Sequence, residues 1–391
     1  MTHLVLALAR SSWGETTLAL RIAEGLRRAG DKVVFVIHRA LAKLFFATPF
    51  EIIVAPDIQG PAFDAFLGHV VRGEKPNSII LADFLMAFEA LRRREAHPQT
   101  LSRFSVPIIG IDTWHFPEIG DRIDVRPDHE LTVAPKVASH PFRLVPVPFI
   151  RPSAGCGVQL LPEVLEPGGI RRELSLPEGP MATICTSGWQ QRDSGLAHMD
   201  RVKESLPRLL DIYLRRLRVP VCHVGPRAYP WTLDGRYHHR SQLPSLTFSR
   251  LITSATLVVS TNLCATTNTL AIAAGVPVVS VINDHLGEGL EHLDYSPSKA
   301  LAQWAAEHLP LYRFRMWPMS GYRTLSMVLG GNPYGALLHP VQVLDERRFE
   351  STSQALLAGE ADRGLRERYL GLVHRLPTPA ERVHRYCRLS T

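Results

Sequence analysis

The segment Ala9-Arg10-Ser11-Ser12-Trp13-Gly14-Glu15-Thr16 lies between an apolar run and an amphipathic stretch, where a phosphate-binding turn would stand. Its outline is that of a P-loop, with four residues between a small residue and Gly14. A P-loop requires a lysine at the position of Glu15 to neutralise the β- and γ-phosphates, and a carboxylate there repels them. The turn is not GxGxxG either, which excludes the ordinary dinucleotide fingerprint. Two further carboxylates, Asp83 (LADF) and Asp112 (GIDTWH), close apolar runs. In open α/β sheets ligands bind beyond the carboxyl ends of the strands. Asp112 can therefore line a site with Trp114 and His115, or pair with His115 as acid and base; the alternative for each is a helix cap. His238-His239 invites a metal ion, but neither HExxH nor a matching carboxylate spacing accompanies it, so no metal site is expected.

Alternating elements must hold these residues. Leu4–Ala9 is continuously apolar, as suits a strand buried on both faces. A helix follows over Glu15–Ala29, with Leu18, Ile22 and Leu26 on one face and Gly30 as its stop, and then a strand over Lys32–His38. This is a β-turn-α-β unit of the length needed for a parallel crossover. The alternation continues with strands at Glu51–Ala55, Ser78–Leu81 and Pro107–Ile111, helices at Phe63–Val71 and Phe84–Ala96, and a closing run at Leu144–Phe149. Residues 151–180 are rich in Pro and Gly and read as a linker. The pattern then restarts, with strands at Met181–Thr186, Val219–Val224, Leu257–Ser260 and Val278–Ile282, and helices at Asp200–Leu217 and Thr267–Ala274. Helices near 349–358, 360–375 and 378–388 end the chain. The fold class is α/β with two doubly wound parallel sheets.

The 391 residues suit two domains with sizeable cores, and 45% apolar and 21% charged residues are ordinary globular values. The net charge of +7 is spread along the chain. Its densest runs, Arg92-Arg93-Arg94 and Arg215-Arg216-Leu217-Arg218, fall in helical segments and read as solvated faces, so no nucleic-acid partner is expected. The five cysteines form no CxxC pair. Cys185 and Cys222 lie in strand-like runs as buried thiols, which points to a reducing, cytoplasmic location. Met1–Leu8 lacks a basic leader region and reads as a strand rather than a signal peptide. No run of eighteen apolar residues occurs, so no membrane span is expected.

Two segments resemble the glycosyltransferases of the GT-B type. Trp13–Val33 is similar to the opening of those enzymes, in which a Gly-His turn precedes an Ala/Leu-rich helix ending in Arg-x-x-Gly-His-x-Val. Gly14 matches the glycine, and Glu15 falls where many inverting members carry the histidine that deprotonates the acceptor. Glu15 thus has two readings: an acid in the first turn of a helix, favourable to its dipole, or a general base whose pKa burial beneath Trp13 would raise. Ser254–Ser260 (SATLVVS) followed by Thr266–Val279 (TTNTLAIAAGVPVV) is similar to the donor-binding segment of the family. There a strand, a turn and a helix N-terminus offer free backbone N–H groups to a diphosphate. The sequence departs from the pattern at Asn262 for the usual His, at Leu263 and Cys264 for two glycines, and at Leu270 for the ribose-holding Glu.

The resemblance implies two Rossmann-like domains facing each other across a cleft. The expected division is an acceptor domain over 1–150, a linker over 151–180, a nucleotide domain over 181–375, and a tail over 376–391 returning to the first domain. It implies sugar transfer from a nucleotide-activated donor, UDP- or dTDP-linked, to a small-molecule acceptor, inverting and metal-independent, with no tightly bound cofactor. Glu15 would be the base, and Trp114 and His115 beside Asp112 would line the acceptor pocket. Ser187, Gly188, Asn262, Thr266 and Thr267 would hold the phosphates, with ordinary helix capping the alternative for Asn262, Thr266 and Thr267. Asn283 and Asp284 would contact the sugar. Two other functions stay open: a non-glycosyl transfer or ligation through a phosphorylated or adenylated intermediate, and a non-catalytic partner of a transferase. A homodimer is also left open.

Overall fold

The computed structural model describes residues 1–10, 12–46, 48–97, 99–113, 122–126, 129–132, 142–146, 156–191, 197–241, 243–263, 265–282, 296–308 and 333–390. The chain divides into two compact units. Unit 1 comprises Met1–Asp121, Thr132–Leu160 and Gly371–Thr391, and unit 2 comprises Arg122–Leu131 and Leu161–Leu370.

In chain order the first part carries β1 (Thr2–Ala7), α1 (Trp13–Arg28), β2 (Lys32–Ile37), β3 (Glu51–Val54), α2 (Gly60–Glu74), β4 (Ser78–Leu81), α3 (Phe84–Arg93) and β5 (Ile108–Ile111). A two-stranded ribbon, β6 (Arg122–Arg126) and β7 (His129–Thr132), precedes β8 (Arg143–Leu144). The sheet of unit 1 is six-stranded and parallel, in the order β3-β2-β1-β4-β5-β8. Its central strands are apolar because both faces are covered: Leu4–Ala7 and Ile79–Leu81 are at most 3% exposed. The stripe Leu18, Ala19, Ile22, Ala23 and Leu26 seats α1 on the sheet core. Gly30, at φ +89°, turns the chain from α1 into β2. The helix Pro379–Leu389 starts with a capping box between Thr378 and Glu381. It packs on α1 and buries Val383 and Tyr386 in the core of unit 1.

Unit 2 repeats the plan. Its strands are β9 (Ala182–Cys185), β10 (Val221–Val224), β11 (Tyr237–Arg240), β12 (Leu257–Ser260), β13 (Val278–Ile282) and β14 (Pro340–Gln342). They form a second parallel six-stranded sheet in the order β11-β10-β9-β12-β13-β14. Leu206, Leu209, Leu210 and Tyr213 of the Ala197–Arg216 helix meet Trp304 and Phe349 in its core. Among the described residues no helix is long and apolar enough to cross a membrane.

Several elements differ from the sequence expectation. Helix α1 begins at Trp13 rather than Glu15, and the Ala197–Arg216 helix starts a turn earlier than expected. The edge strands β11 and β14 were not anticipated: one reads Tyr-His-His-Arg, the other spans three residues from a proline. Residues 161–180 fall within unit 2, where Ile170, Leu176 and Met181 share a small core with Cys222, Val224 and Leu251. That stretch is therefore packed rather than free.

A Cβ on Gly110 of β5 would overlap the ring of Phe84, which is 1% exposed. Overpacking a core position in this way costs about 1–3 kcal/mol. Gly110→Ala is expected to lower the thermal unfolding midpoint by several degrees, read by calorimetry. An unchanged midpoint would show that the ring has room to move.

Candidate active site

In each sheet the strand order reverses once, between β1 and β4 in unit 1 and between β9 and β12 in unit 2. In doubly wound sheets the carboxyl ends of the strands at such a reversal form the binding crevice. Both ends carry residues whose polar capacity is turned to local use or left open.

In unit 1 the chain leaving β1 reaches Ser12, which is 4% exposed. Its Oγ donates to Asp83 Oδ2 at 2.5 Å, while Asp83 Oδ1 accepts the Met86 N–H at 3.1 Å as the cap of α3. Glu15 lies half-buried in the first turn of α1. Burial, and then the negative charge of Asp83, push its carboxyl up from 4.5 to about 8, against the pull of its own backbone N–H. Asp83 is also raised, by burial first and lastly by Asp112, while Ser12 and Met86 hold it down. The Ser12 hydroxyl and the Met86 N–H favour the Asp83 anion, and that negative charge adds to burial in raising the proton affinity of Glu15.

Asp112 is placed differently from the expectation. Its side chain is fully buried and pairs with Arg143 Nη1 at 2.8 Å, and its backbone N–H donates to Leu144 O at 2.9 Å. This buried carboxylate, held by a guanidinium, fastens β5 to β8, and the His115 expected to pair with it lies outside the described residues. Trp114, His115, Asn283 and Asp284 lie outside the described residues.

In unit 2 the structure brings Ser187, Asn262 and Thr267 together around one cavity of about 40 Å³, whose lining also includes Cys185, Gln190 and Asn268. Gly188 and Thr266 stand beside it as the first residues of their helices. The Thr266–Ala274 helix follows Ala265, and no side chain caps its N-terminus. In the first turn of that helix the Asn268 N–H donates to Ala265 O at 3.0 Å, and the N–H groups of Thr266 and Thr267 belong to the orphan donors of a helix start. Asn268 is fully buried; its Nδ2 donates to Asn262 O at 2.8 Å, and its Oδ1 has no partner among the described residues. The Ser187 N–H donates to Gln190 Oε1 at 2.8 Å, and Gln190 Nε2 donates to Thr261 Oγ1 at 3.0 Å. Leu263 and Leu270, at the family's glycine and ribose-Glu positions, are 0% and 2% exposed and belong to the core.

A web behind the cavity sets the turn after β9. Thr186 Oγ1 lies 2.7 Å from His223 Nε2, and His223 Nδ1 lies 2.8 Å from Tyr237 Oη. Gln191 spans from Thr186 Oγ1 at 2.9 Å to the Arg227 N–H at 2.8 Å. Burial and the neighbouring His239 push His223 down to about 3, so it stays neutral and the web does not titrate at ordinary pH. A Cβ on Gly225 would collide with Thr186 Oγ1, so only glycine lets these two turns approach.

Ser12, Gln190, Asn268 and the His223 web had not been singled out from the sequence as site residues. Asp83 carried a visible signal as a strand-end carboxylate. The others depend on contacts between residues far apart in the chain.

A model for a family of unknown function, DUF6365, matches residues 22–389. No curated protein matches the chain. Among solved structures, the chain is similar to glycosyltransferase VinC in complex with dTDP, at 15% identity and TM-score 0.54, covering 100% of this chain and 99% of that one. It is similar to the spinosyn rhamnosyltransferase SpnG at 12% identity and TM-score 0.57, covering 98% and 99%. The glycosyltransferase SnogD from Streptomyces nogalater shares 13% identity at TM-score 0.53, covering 100% and 99%. At these identities the likeness shows the fold, two Rossmann-like domains of the GT-B kind.

The raised carboxyl of Glu15 has a consequence for stability. Between the unfolded value of 4.5 and the folded value of about 8, the folded chain holds a proton that the unfolded chain releases. The stabilising effect is therefore present in full below 4.5 and is lost as pH rises through about 8. Glu15→Gln removes this dependence. The variant is expected to match the parent near pH 4.5 and to exceed it in unfolding midpoint by an amount that grows to about pH 8 and then levels. A constant difference across that range, in thermal scans, would contradict the burial of the carboxyl.

Proposed function

The chain belongs to the family of unknown function DUF6365, and from its fold and its two strand-reversal sites we propose that it transfers a sugar from a nucleotide-activated donor to a small-molecule acceptor. The observation that carries this reading is the uncapped Thr266–Ala274 helix, whose first residues share a cavity with Ser187 at the reversal of the second sheet. First-turn N–H groups and the positive end of the helix dipole favour a diphosphate there, with the Ser187 N–H available once Gln190 is displaced. In this reading unit 2 takes the donor and unit 1 the acceptor.

The chemistry follows from the groups present. Ionised Glu15 takes the proton of an acceptor hydroxyl, and the acceptor oxygen attacks the anomeric carbon. The bond from that carbon to the diphosphate oxygen breaks, and the departing charge is met by backbone amides around Thr266, Thr267 and Ser187. Displacement by the acceptor inverts the anomeric centre and needs no metal ion. Burial first, and then the charge of Asp83, raise the proton affinity of Glu15. VinC is solved with dTDP and SpnG with thymidine diphosphate, which supports a thymidine-linked donor. SpnG is also solved with the spinosyn aglycone, which supports a small-molecule acceptor.

One observation favours a second reading. Leu270 is core, so no carboxylate at that position holds a ribose. The degraded donor motif leaves room for a non-glycosyl transfer or ligation through a phosphorylated or adenylated intermediate. A panel of UDP, dTDP, GDP and ATP separates the readings, because only a ligand that prefers the folded chain raises its unfolding midpoint. Stabilisation by dTDP or UDP is the expected result, ATP alone supports ligation, and no response supports a non-catalytic partner.

Glu15→Gln is expected to retain dTDP stabilisation and to lose turnover by on the order of 10²- to 10⁴-fold, the usual worth of a general base. Turnover of the parent is expected to rise with pH and level above about 8, because the base acts in its ionised form. Full turnover in the variant would remove Glu15 from the reaction.

A further inference from the structure

At the end of β1 opposite to Ser12, three side chains from distant parts of unit 1 converge on one oxygen. His3 lies on β1 and is fully buried, Asp31 follows Gly30 in the turn from α1 to β2, and His384 sits on the Pro379–Leu389 helix with its side chain 26% exposed. His3 Nε2 lies 3.3 Å from Asp31 Oδ2, and His384 Nε2 lies 2.5 Å from the same oxygen. The three atoms are within 4.8 Å of one another. The other carboxylate oxygen, Oδ1, accepts from the amino group of Met1 at 2.8 Å, so the imidazoles share Oδ2.

We propose that His3, Asp31 and His384 form a binding site for a divalent transition-metal ion of the Zn²⁺ class. Two imidazole nitrogens and one carboxylate oxygen are a borderline donor set that suits this ion rather than Mg²⁺ or Ca²⁺. Tetrahedral bonds of about 2.0–2.1 Å place ligand atoms roughly 3.3 Å apart, the spacing of His3 and Asp31. His384 must open from its shorter contact, and a partly exposed ring on a helix surface can swing to do so. Its open side admits a water as the fourth ligand.

The support around the site fits a ligand. His3 Nδ1 lies 2.8 Å from Ser78 Oγ on β4. With Nδ1–H donating to Ser78, the Nε2 lone pair faces the Asp31 oxygen. In the other tautomer Ser78 donates to Nδ1 and Nε2–H donates to Asp31, and a bound cation selects the tautomer that frees Nε2. An outer partner that orients the ring is what a metal-bound histidine ordinarily has. The ion would join β1, the α1–β2 turn and the last helix of the chain. It stands at the far end of β1 from Glu15, and its role is structural, independent of the proposed sugar transfer.

The full-length chain, stripped with a chelator and titrated with Co²⁺, tests the site. The expected result is saturable visible absorption of tetrahedral type at one ion per chain, displaced by Zn²⁺, with a rise in unfolding midpoint that the chelator reverses. His384→Ala is expected to abolish both, while His69→Ala, at an exposed histidine of α2, leaves both unchanged. His384→Cys is expected to restore binding and add a thiolate-to-cobalt charge-transfer band, a signature that arises only if position 384 ligates. Absence of Co²⁺ absorption in the parent, an undiminished spectrum in His384→Ala, or a Co²⁺-bound His384→Cys chain without the charge-transfer band would each overturn the proposal.

Discussion

A parallel sheet covered on both faces leaves its polar business to be done at its ends. Backbone groups within the strands are paired, and side chains on both faces are apolar, so charge and unpaired hydrogen-bonding capacity collect where the chain enters and leaves. In both sheets of this protein the winding reverses once, and there the connections depart in opposite directions. The β1/β4 end carries Ser12, Glu15 and Asp83; the β9/β12 end carries Ser187, Asn262 and Thr267. The two sites share no residue type in common roles, yet the same topological constraint produces both.

The carboxylates of unit 1 show how position changes chemistry within one residue class. Asp112 is buried against a guanidinium and is structural. Asp83 is buried against a hydroxyl and an amide, which stabilise its anion. Glu15 has burial and a neighbouring negative charge, which raise its proton affinity to about 8. The GT-B enzymes that the opening segment resembles place an imidazole at that point. A glutamate in ordinary solvent is a far weaker base than imidazole, but this one is moved into and beyond the range of imidazole by its surroundings. In the proposed transfer, that raised proton affinity is what would let Glu15 act where those enzymes carry an imidazole.

The alternation of strands and helices was legible because buried parallel strands are continuously apolar and α1 carries an unbroken stripe. Edge elements were not: β11 is half-buried along its length and carries the polar run Tyr237–Arg240, and β14 opens with a proline. The convergence of Ser187, Asn262 and Thr267 was legible through a shared motif order, since each follows a strand in the sequence. The place of Asp112 was not, because its partner Arg143 is held by a different strand and nothing local announces the pair. Gln190 was hidden for a related reason, as a polar residue one turn past a strand looks solvated until Thr261 is brought beside it.

Gln190 also bears on what the second site accepts. The Ser187 N–H is already occupied by a neutral side-chain oxygen, so a ligand reaching that N–H must displace it. A neutral hydrogen bond contributes about 0.5–1.5 kcal/mol net, whereas a bond to a charged group contributes about 1.5–3. A neutral ligand thus gains little by the exchange, while an anionic oxygen gains on the order of the difference and adds the attraction of the Thr266–Ala274 helix dipole. Leu263 and Leu270 remove the polar contacts that would otherwise grip the rest of a nucleotide at this motif. In the proposed reading, selectivity for negative charge at the turn would rest on the competition between Gln190 and a phosphate oxygen for the Ser187 N–H. The rigid, non-titrating web from Thr186 through His223 to Tyr237 keeps that competition at a fixed geometry.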